Sequence, residues 1–383
     1  MSKLLSQGGF GCVYHPGIKC DGSQDNKKKY VSKLQINDYT AYNEVNIGKI
    51  ITKIPNYNMF FLPILSYCSV NVATLDNNLV SKCNTLHGQD DLVLMKMKYL
   101  KNESFYDFIE GKNKHVIFSQ LIDKYKYLLS SIQMLNNNDI VHYDLKDENI
   151  LTNKKNKLPV IIDFGISLNM NNFTAGAVDD YFYVYAPEYY IWCFDIQLIC
   201  FLTKKIEDDN ELFKKSSLET IAHDYTYENK ILAFFSEDFK KVYKQNCIDF
   251  GNNYVNKTKK EILKSLITKK NYSTWDNHSL SCLMLKSIFY LLDRKMISLN
   301  FFKKIIQLAV VNMHPNPYKR YTIEKTKEKL NIILKNIEET YVDIFTNINE
   351  INIKRNVIDV KIKSDNETIE RITNGKESKK MLK

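Results

Sequence analysis

The spacing of hydrophobic and polar residues changes along the chain. Residues 30–36 alternate between apolar and polar positions, a period of two that predicts a β-strand. Shorter apolar runs at 60–65 and 91–97 predict further strands of a small sheet. Apolar residues then recur at helical spacing in 116–135, and a last helix is predicted from Thr322 into the 340s. The pattern therefore predicts a β-rich N-terminal part followed by a longer helical part.

A short polar segment interrupts the apolar pattern at residues 142–151. Asp144, Lys146 and Asn149 lie there between two apolar pairs, so the backbone is expected to be buried while the polar tips face one cleft. An acid, a base and an amide held in this way are typical of a catalytic loop.

A second carboxylate follows an apolar strand predicted at residues 159–162. Asp163 stands where this strand meets a flexible turn that continues through Phe164 and Gly165. Two acids and an amide can hold a divalent cation, because Mg²⁺ prefers oxygen ligands. The two segments together therefore predict a site for such an ion.

The composition is ordinary for a globular protein, with 44% hydrophobic and 26% charged residues. No apolar run approaches the roughly 20 residues of a membrane span, and the opening Met-Ser-Lys-Leu-Leu does not resemble a signal peptide. We therefore expect an intracellular protein with no membrane span. The eight cysteines lack the paired C-x-x-C spacing of zinc and redox motifs, so reduced, mostly buried thiols are expected.

The formal net charge is +10, and the lysines that carry most of the positive charge are spread over the whole chain. Only four of the 54 basic residues are arginine. No aromatic-basic recognition motif accompanies the charge, so nucleic-acid binding is not expected beyond weak electrostatic attraction to the C-terminal tail. The bias towards Lys, Asn, Ile and Tyr indicates an AT-rich genome rather than a basic function.

The two polar segments resemble the signatures of eukaryotic-type protein kinases. Residues 142–149 are similar to the H-x-D-L-K-x-x-N catalytic loop, residues 163–165 to the D-F-G metal loop, and residues 186–188 to the A-P-E motif. The resemblance implies an α+β, bilobal protein-kinase fold, with a small antiparallel β-sheet lobe containing one helix and a large, mainly helical lobe. Within the metal loop, Phe164 and Gly165 are assigned structural roles.

The resemblance also implies boundaries for one kinase domain and a tail. The expected segments are a small lobe at 1–97, a hinge at 98–101, a large lobe at 102–340 with an insertion at about 200–272, and a basic tail at 341–383. The end of the tail is charged and poor in apolar residues, so it is expected to be disordered. The insertion is polar and lysine-rich with helical patches, and it falls where kinases of the family dock their substrates.

The N-terminal segment resembles the part of the family that binds ATP. Residues 3–14 read as strand, glycine turn and strand, like the kinase glycine-rich loop, with Ser6 in place of the first glycine. By the resemblance, Lys33 contacts the α- and β-phosphates and Glu44 on the following helix holds Lys33. The expected ATP-binding residues are Gly8, Gly9, Gly11, Val13, Val31, Lys33, Met97 and Leu151.

The family mechanism gives each catalytic side chain an expected role. Asp144 would accept the proton of the attacking hydroxyl and Lys146 would neutralise the γ-phosphate. Asn149 and Asp163 would hold Mg²⁺, with Mn²⁺ as an alternative ion. The expected partners are ATP and a protein substrate, and a lysine two places after Asp144 favours serine or threonine as the acceptor.

Two other classes of function remain as alternatives. One is a kinase-fold scaffold that binds ATP without transferring phosphate, which the intact Asp144 and Asp163 disfavour. The other is a small-molecule kinase of related fold, which the A-P-E motif and Arg320 disfavour. Phosphorylation of a generic protein substrate would separate both from a protein kinase.

Two aspartates compete for the start of the buried helix that the family places after A-P-E. Asp195 lies close to Glu188 but lacks the expected serine, whereas Asp276 opens a D-x-x-S-L stretch followed by an apolar run, and it is preferred. Arg320 lies in a segment that resembles the late kinase motif. Because a guanidinium matches a carboxylate bidentately, Arg320 is expected to form a buried pair with Glu188.

One departure from the family pattern concerns regulation. Tyr143 stands where many kinases carry the arginine that docks a phosphorylated activation loop. We therefore expect activity without phosphorylation of Thr174, Tyr181 or Tyr183.

The compact N-terminus, the large insertion and the Lys/Asn/Ile-rich composition resemble the divergent kinases of large DNA viruses. A protozoan with an AT-rich genome is the rival source. The expected location is cytoplasmic, in the host cytoplasm or the virion if the protein is viral.

Overall fold

The chain forms two compact units. The computed structural model describes residues 2–9, 11–25, 28–76, 80–86, 88, 91–107, 114–173, 177–294 and 299–339. Among these, the first unit comprises residues 2–107 and 147–169, and the second comprises 114–146 and 170–339. The predicted basic tail at 341–383 lies outside the described residues.

The first unit contains a five-stranded antiparallel sheet. Its strands are β1 (Lys3–Gly8), β2 (Gly11–His15), β3 (Tyr30–Ile36), β4 (Ser66–Asn71) and β5 (Asp91–Lys98). They lie in the order β1-β2-β3-β5-β4, and β3 pairs with β5 from Tyr30 opposite Lys98 to Ile36 opposite Leu92. The strands predicted at 30–36 and 91–97 are confirmed, and their apolar side chains enter the core of this unit.

Helix α1 (Tyr39–Ile51) follows β3 and is capped by Asp38, whose carboxylate accepts a hydrogen bond from Ala41 N at 3.0 Å. Gly48 lies inside the helix, although glycine weakens helices by about 1 kcal/mol. A Cβ added at Gly48 would lie 2.9 Å from Ile64 O. The glycine therefore lets α1 lie directly against the backbone at Ile64.

The strand predicted at residues 60–65 is wrong. A short helix, α2 (Tyr57–Phe60), occupies the start of this range, and β4 begins only at Ser66. Phe61 and Leu62 are buried, and Leu62 N donates to Ile161 O at 3.1 Å. The run is apolar because it packs in the core. A short apolar run alone does not show whether the segment is a buried strand or another kind of buried segment.

Two disulfides join cysteines of the first unit, Cys12–Cys83 and Cys20–Cys68, each with a Cα–Cα distance of 6.0 Å. The prediction of reduced thiols is wrong for these four residues. The paired cysteines are 71 and 48 residues apart, so it is the fold of the unit and no local spacing that brings them together. The other four cysteines are buried thiols, namely Cys193, Cys200, Cys247 and Cys282.

Short strands flank the two polar segments singled out in the sequence. They are β6 (Asn102–Glu103), β7 (Ile140–Val141), β8 (Ile150–Asn153), β9 (Pro159–Ile161) and β10 (Leu168–Asn169). In the first unit, β6, β8 and β9 form an antiparallel sheet in that order, with Ile150 opposite Ile161.

The second unit is built mainly from helices. They are α3 (Lys114–Asn137), α4 (Val178–Tyr181), α5 (Phe194–Lys205), α6 (Lys215–Glu228), α7 (Glu237–Gly251), α8 (Lys259–Leu266), α9 (Lys269–Tyr272), α10 (Trp275–Asp293), α11 (Leu299–Asn312) and α12 (Ile323–Glu339). Helix α3 confirms the helix predicted at 116–135. Helix α12 confirms the helix predicted from Thr322 as far as Glu339, and its predicted continuation into the 340s lies outside the described residues. Residues 200–272 are largely helical as well.

An antiparallel sheet in the N-terminal region and a mostly helical remainder confirm the predicted α+β fold. No helix within the described parts of the chain is long and apolar enough to cross a membrane.

Candidate active site

Three charged side chains meet in the first unit around Lys33 on β3. Lys33 Nζ lies 2.7 Å from Glu44 Oε2 and 3.1 Å from Asp163 Oδ1. Helix α1 carries Glu44, and Asp163 follows β9 by two residues. The structure thus brings together a lysine and two acids that are separated by 11 and 130 residues in the sequence.

The two carboxylates of this cluster stabilise the charge of Lys33. Burial alone would lower the pKa of Lys33, but the carboxylates of Asp163 and Glu44 hold it above its ordinary value. Burial raises the pKa of Glu44, and the positive charge of Lys33 opposes that rise. Because the ammonium lies within hydrogen-bond distance of both carboxylates, we take the cluster as ionised.

The turn that carries Asp163 is tied to α1 by Asn43. The Asn43 amide donates to Gly165 O at 3.0 Å and to Ser167 O at 2.8 Å. Asp163 itself has φ of 63°, a left-handed conformation that is rare for a residue with a side chain and is common at functional sites. Phe164 is fully buried and packs edge-on to Phe61, with ring centroids 6.1 Å apart.

Asn149 lies beside the same turn. Asn149 is the last residue of a 3₁₀ helix at Asp147–Asn149. Its backbone oxygen accepts a hydrogen bond at 3.0 Å from the N–H group of Ile162, which directly precedes Asp163. Asn149 and Asp163 offer an amide oxygen and a carboxylate, which are ligands that Mg²⁺ accepts alongside the phosphates of a substrate. Their chemistry therefore fits a magnesium site.

The glycines of the glycine-rich segment differ in exposure and in the space around them. Gly8 and Gly9 are exposed, and a Cβ added at Gly8 would contact nothing within 4 Å. Gly11 has φ of 151°, and a Cβ there would lie 2.3 Å from Leu34 O. Gly11 is thus required for the close pairing of β2 with β3, whereas Gly8 and Gly9 leave an open backbone.

Apolar residues predicted to contact the nucleotide lie on strands of the first unit. Val13 is opposite Lys33 on the β2–β3 pair, and Val31 is opposite Met97 on the β3–β5 pair. Leu151 lies on β8 and is half-buried. Their strand positions place Val13 and Val31 close to Lys33.

The second unit holds the predicted catalytic base and its neighbour. Asp144 and Lys146 are both buried, and Lys146 Nζ lies 3.1 Å from Asp144 Oδ1. The Tyr189 hydroxyl donates to Asp144 Oδ1 and accepts from Lys146 Nζ at 3.2 Å. The acid, the base and a phenol therefore form one buried polar group.

Asp276 at the start of α10 holds the backbone of the predicted catalytic loop. Its carboxylate accepts from His142 N at 2.7 Å and from Tyr143 N at 3.1 Å. Burial raises the pKa of Asp276, while His142 and the two N–H groups oppose the rise. Tyr143 has φ of 68°, so these bonds support a strained turn just before Asp144.

The carboxylate that pairs with Arg320 is that of Asp195, and the predicted pair with Glu188 is wrong. Arg320 Nη2 donates to Asp195 Oδ1 at 2.5 Å, and both side chains are fully buried. Trp275 Nε1 donates to the other oxygen, Asp195 Oδ2, at 2.7 Å. Burial would lower the pKa of Arg320, but Asp195 raises it above its ordinary value, so this pair is ionised.

Residues that sequence reasoning missed include Asn43, Tyr189 and Asp195. Asn43 had a usable signal, since it precedes Glu44 on the same helix. Tyr189 follows A-P-E directly, but nothing in a lone tyrosine predicts contact with a residue 45 positions earlier. Asp195 was weighed only as a rival to Asp276, whereas the structure gives each aspartate its own partner.

A lysine held between a helix glutamate and the aspartate of a D-F-G turn is the arrangement with which protein kinases orient the phosphates of ATP. Fold and geometry therefore define a protein-kinase type of phosphotransferase. A family model described as protein kinase domain matches residues 69–332. That range is more than half of the chain, and the chain belongs to the protein kinase domain family, as the resemblance predicted. The matched range contains Asp144 and Asp163, and Lys33 and Glu44 precede it.

Proposed function

We propose that this protein is an active, ATP- and Mg²⁺-dependent kinase that phosphorylates serine or threonine hydroxyls of protein substrates. The observation that carries the proposal is the pairing of Lys33 with both Glu44 and Asp163, at 2.7 and 3.1 Å. Kinases need this lysine–glutamate pair and the metal-binding aspartate in place for transfer. Keeping the charges of Lys33 and Glu44 buried is costly, which disfavours a scaffold that has no use for them.

On the nucleotide side, Lys33 orients the α- and β-phosphates and Glu44 keeps its ammonium aimed at them. The exposed backbone at Gly8 and Gly9 offers N–H groups to the phosphates. Val13, Val31, Met97 and Leu151 form the apolar surroundings of the adenine. Tyr99 N in the hinge already donates to Lys29 O at 2.8 Å, so adenine bonds other backbone groups between residues 98 and 101.

Asn149 and Asp163 are the residues that would hold Mg²⁺. When bound, the ion neutralises charge on the phosphate oxygens and aligns them for in-line transfer. The chain's own contribution is to keep Asp163 in its left-handed turn through Asn43 and to keep Asn149 beside it through the Ile162 N–H group. Mn²⁺ is accepted at the same oxygen ligands.

On the acceptor side, Asp144 accepts the proton of the attacking hydroxyl as the new O–P bond forms and the bond from the γ-phosphorus to the bridging oxygen of ADP breaks. Lys146 offsets negative charge on the transferring γ-phosphoryl group. Asp276 holds the loop that carries both residues. Most of the rate acceleration then comes from positioning and electrostatics rather than from covalent catalysis.

The test is transfer of radiolabelled γ-phosphate from ATP to mixed protein substrates, with acid hydrolysis to identify the labelled amino acid. We expect phosphoserine or phosphothreonine from the wild type and a loss of at least about 100-fold from Asp144→Asn. The matched control is Glu148→Gln, an exposed acid in the same loop, which should keep wild-type activity.

Other results would favour the other classes. ATP binding without transfer by the wild type would indicate a scaffold, and transfer to sugars or lipids but not to proteins would indicate a small-molecule kinase. Phosphotyrosine as the sole product would contradict only the proposed serine or threonine specificity, not the proposed kinase activity.

We further propose the expected division into a small lobe at 1–97, a hinge at 98–101 and a large lobe at 102–340 with an insertion at about 200–272. Limited proteolysis is the test, since cleavage should fall first in the polar loops of the insertion while the lobes persist.

The source and location are proposed from composition and chemistry. The Lys/Asn/Ile-rich sequence supports kinship with kinases of large DNA viruses, and the location is then the host cytoplasm or the virion. Disulfides persist in oxidising surroundings, so Cys12–Cys83 and Cys20–Cys68 favour the virion over a reducing cytosol. Alkylation of free thiols before lysis would show in which of these two locations the disulfide-bonded form of the protein occurs.

A further inference from the structure

The hydroxyl of Tyr189 contacts both members of the catalytic pair in the second unit. It donates to Asp144 Oδ1 and accepts from Lys146 Nζ at 3.2 Å, while that same Nζ lies 3.1 Å from Asp144 Oδ1. The three polar atoms form a closed triangle, and all three side chains are at least 97% buried.

The ring of Tyr189 is fixed in place by its own segment. Tyr189 N donates to Ala186 O at 2.9 Å, and the Gln197 amide bonds both the N–H and the carbonyl of Ala186. Trp192 packs edge-on to the Tyr189 ring at 5.1 Å, and its Nε1 donates to Tyr143 O at 2.8 Å. The turn after A-P-E is thus attached to the residue just before Asp144.

The neighbouring tyrosine provides a contrast. Tyr190 is also buried, but its hydroxyl accepts from Lys286 Nζ at 3.3 Å. Two adjacent buried phenols therefore reach different lysines, and the one at 189 contacts the pair that the proposed mechanism uses.

We propose that Tyr189 is a positioning residue for phosphate transfer, whose hydroxyl holds the Asp144 carboxylate and the Lys146 ammonium in one fixed arrangement before the acceptor binds. The inference deepens the proposed function and rests on it. Without the hydroxyl, Asp144 keeps one restraint fewer on rotation about its Cβ–Cγ bond. A misaligned base slows the transfer step, whereas the contacts of Lys33 and Glu44 stay as they are.

The first test is steady-state kinetics of Tyr189→Phe beside Tyr190→Phe. We expect Tyr189→Phe to lower kcat about tenfold or more while KM for ATP changes less than about twofold. Tyr190→Phe should leave kcat within about twofold of the wild type. An unchanged kcat in Tyr189→Phe would overturn the proposal, and so would an increase, which would mean that the phenol occupies the base and blocks the acceptor.

A double-mutant cycle separates positioning from general support of the fold. If Tyr189 acts through Asp144, Tyr189→Phe should cause no further loss of kcat in the Asp144→Asn background. A tenfold loss in that background as well would show an effect independent of Asp144 and refute the role. Circular dichroism melting of both single variants accompanies the cycle.

If Tyr189→Phe does not fold, replacement of Tyr189 by 4-aminophenylalanine tests the same idea. This side chain keeps the ring and an N–H donor for Asp144, so we expect kcat within about threefold of the wild type. A folded 4-aminophenylalanine enzyme with the tenfold loss would contradict the proposal. Failure of the wild type itself to transfer phosphate would instead refute the proposed function.

Discussion

His278 is buried in helix α10, with Nδ1 at 3.2 Å from Ile191 O and Nε2 at 3.4 Å from the Tyr225 hydroxyl. Burial, and then the charge of Arg320, lower its pKa from 6.5 to about 3, although Asp195 opposes this. The folded protein therefore keeps His278 neutral at pH values where the unfolded chain would be protonated.

The sign of the pH dependence follows from that shift. A depressed folded-state pKa means that the unfolded state binds more protons below pH 6.5, so stability is fully present above pH 6.5 and is lost as the pH falls. We expect the free energy of unfolding to fall by up to about 1.4 kcal/mol per pH unit from His278 between pH 6.5 and 5. Urea denaturation at several pH values measures it.

Two variants test whether His278 is responsible for this pH dependence of stability. His278→Gln should reduce the slope between pH 6.5 and 5, although it lowers stability at pH 7.5. Part of the slope remains, because burial and the charges of Lys319 and Arg320 lower the pKa of His314 to about 4 as well. His223, whose side chain is 59% exposed, is the control for the replacement itself, and His223→Gln should leave the stability at pH 7.5 unchanged. Equal slopes in wild type and His278→Gln would show that His278 is not the group that titrates.

At the scale of the element, helix α1 shows how packing overrides propensity. Alanine is a better helix former than glycine by about 1 kcal/mol, so propensity alone would make Gly48→Ala stabilising. A Cβ at residue 48 would however lie 2.9 Å from Ile64 O. We expect Gly48→Ala to lower the melting temperature by several degrees, since overpacking costs about 1–3 kcal/mol.

Asn46 on the same helix is the matched site. It is only half-buried, so Asn46→Ala should keep or raise the melting temperature. If Gly48→Ala also raised it, the contact with Ile64 would be looser than the structure shows. Because Glu44 lies one turn earlier on α1, transfer activity of Gly48→Ala should fall with its stability.

The activation segment is the second element with a testable consequence. Tyr143 is buried, stacked on Trp192 at 4.6 Å and edge-on to Phe182 at 5.5 Å, so it is a packing residue and offers no charge to a phosphate. We expect full transfer activity after phosphatase treatment and in Tyr181→Phe and Tyr183→Phe. Thr174 lies outside the described residues, and Thr174→Ala should likewise retain activity. Complete loss after dephosphorylation would contradict the expectation.

For the whole molecule, the numbers of free and disulfide-bonded cysteines can be measured chemically. The first unit carries both disulfides, and the thiols of Cys193, Cys200, Cys247 and Cys282 lie in the second. Protein purified and denatured without reductant should therefore react with four equivalents of thiol reagent, and with eight after reduction.

The control is a double variant, Cys12→Ser with Cys83→Ser. It should still show four thiols without reductant, because it removes a pair that was already oxidised. Eight thiols in the unreduced wild type would refute both bridges. Reduction should also lower the melting temperature, because bridges that close loops of this length contribute about 4 kcal/mol each in the chain-entropy estimate.

Local patterns were enough to predict the α+β class, the strands at 30–36 and 91–97, the long helix before the catalytic loop and the family itself. A period of two or 3.6 and a motif of ten residues are properties of neighbouring positions, so they can be read without the fold. Lys33, Glu44 and Asp163 were predicted from their neighbours in the sequence and from the family resemblance, and the structure brings the three side chains together.

The pairings between distant residues were decided only by the tertiary structure. The sequence predicted Glu188 as the partner of Arg320, and the path of the chain, not carboxylate chemistry, put Asp195 beside it. The same holds for the two disulfides and for the contact of Tyr189 with Asp144. Each of these contacts joins residues that are tens of positions apart or more. At that separation the sequence spacing does not determine the distance between two side chains, so the partner depends on how whole elements pack.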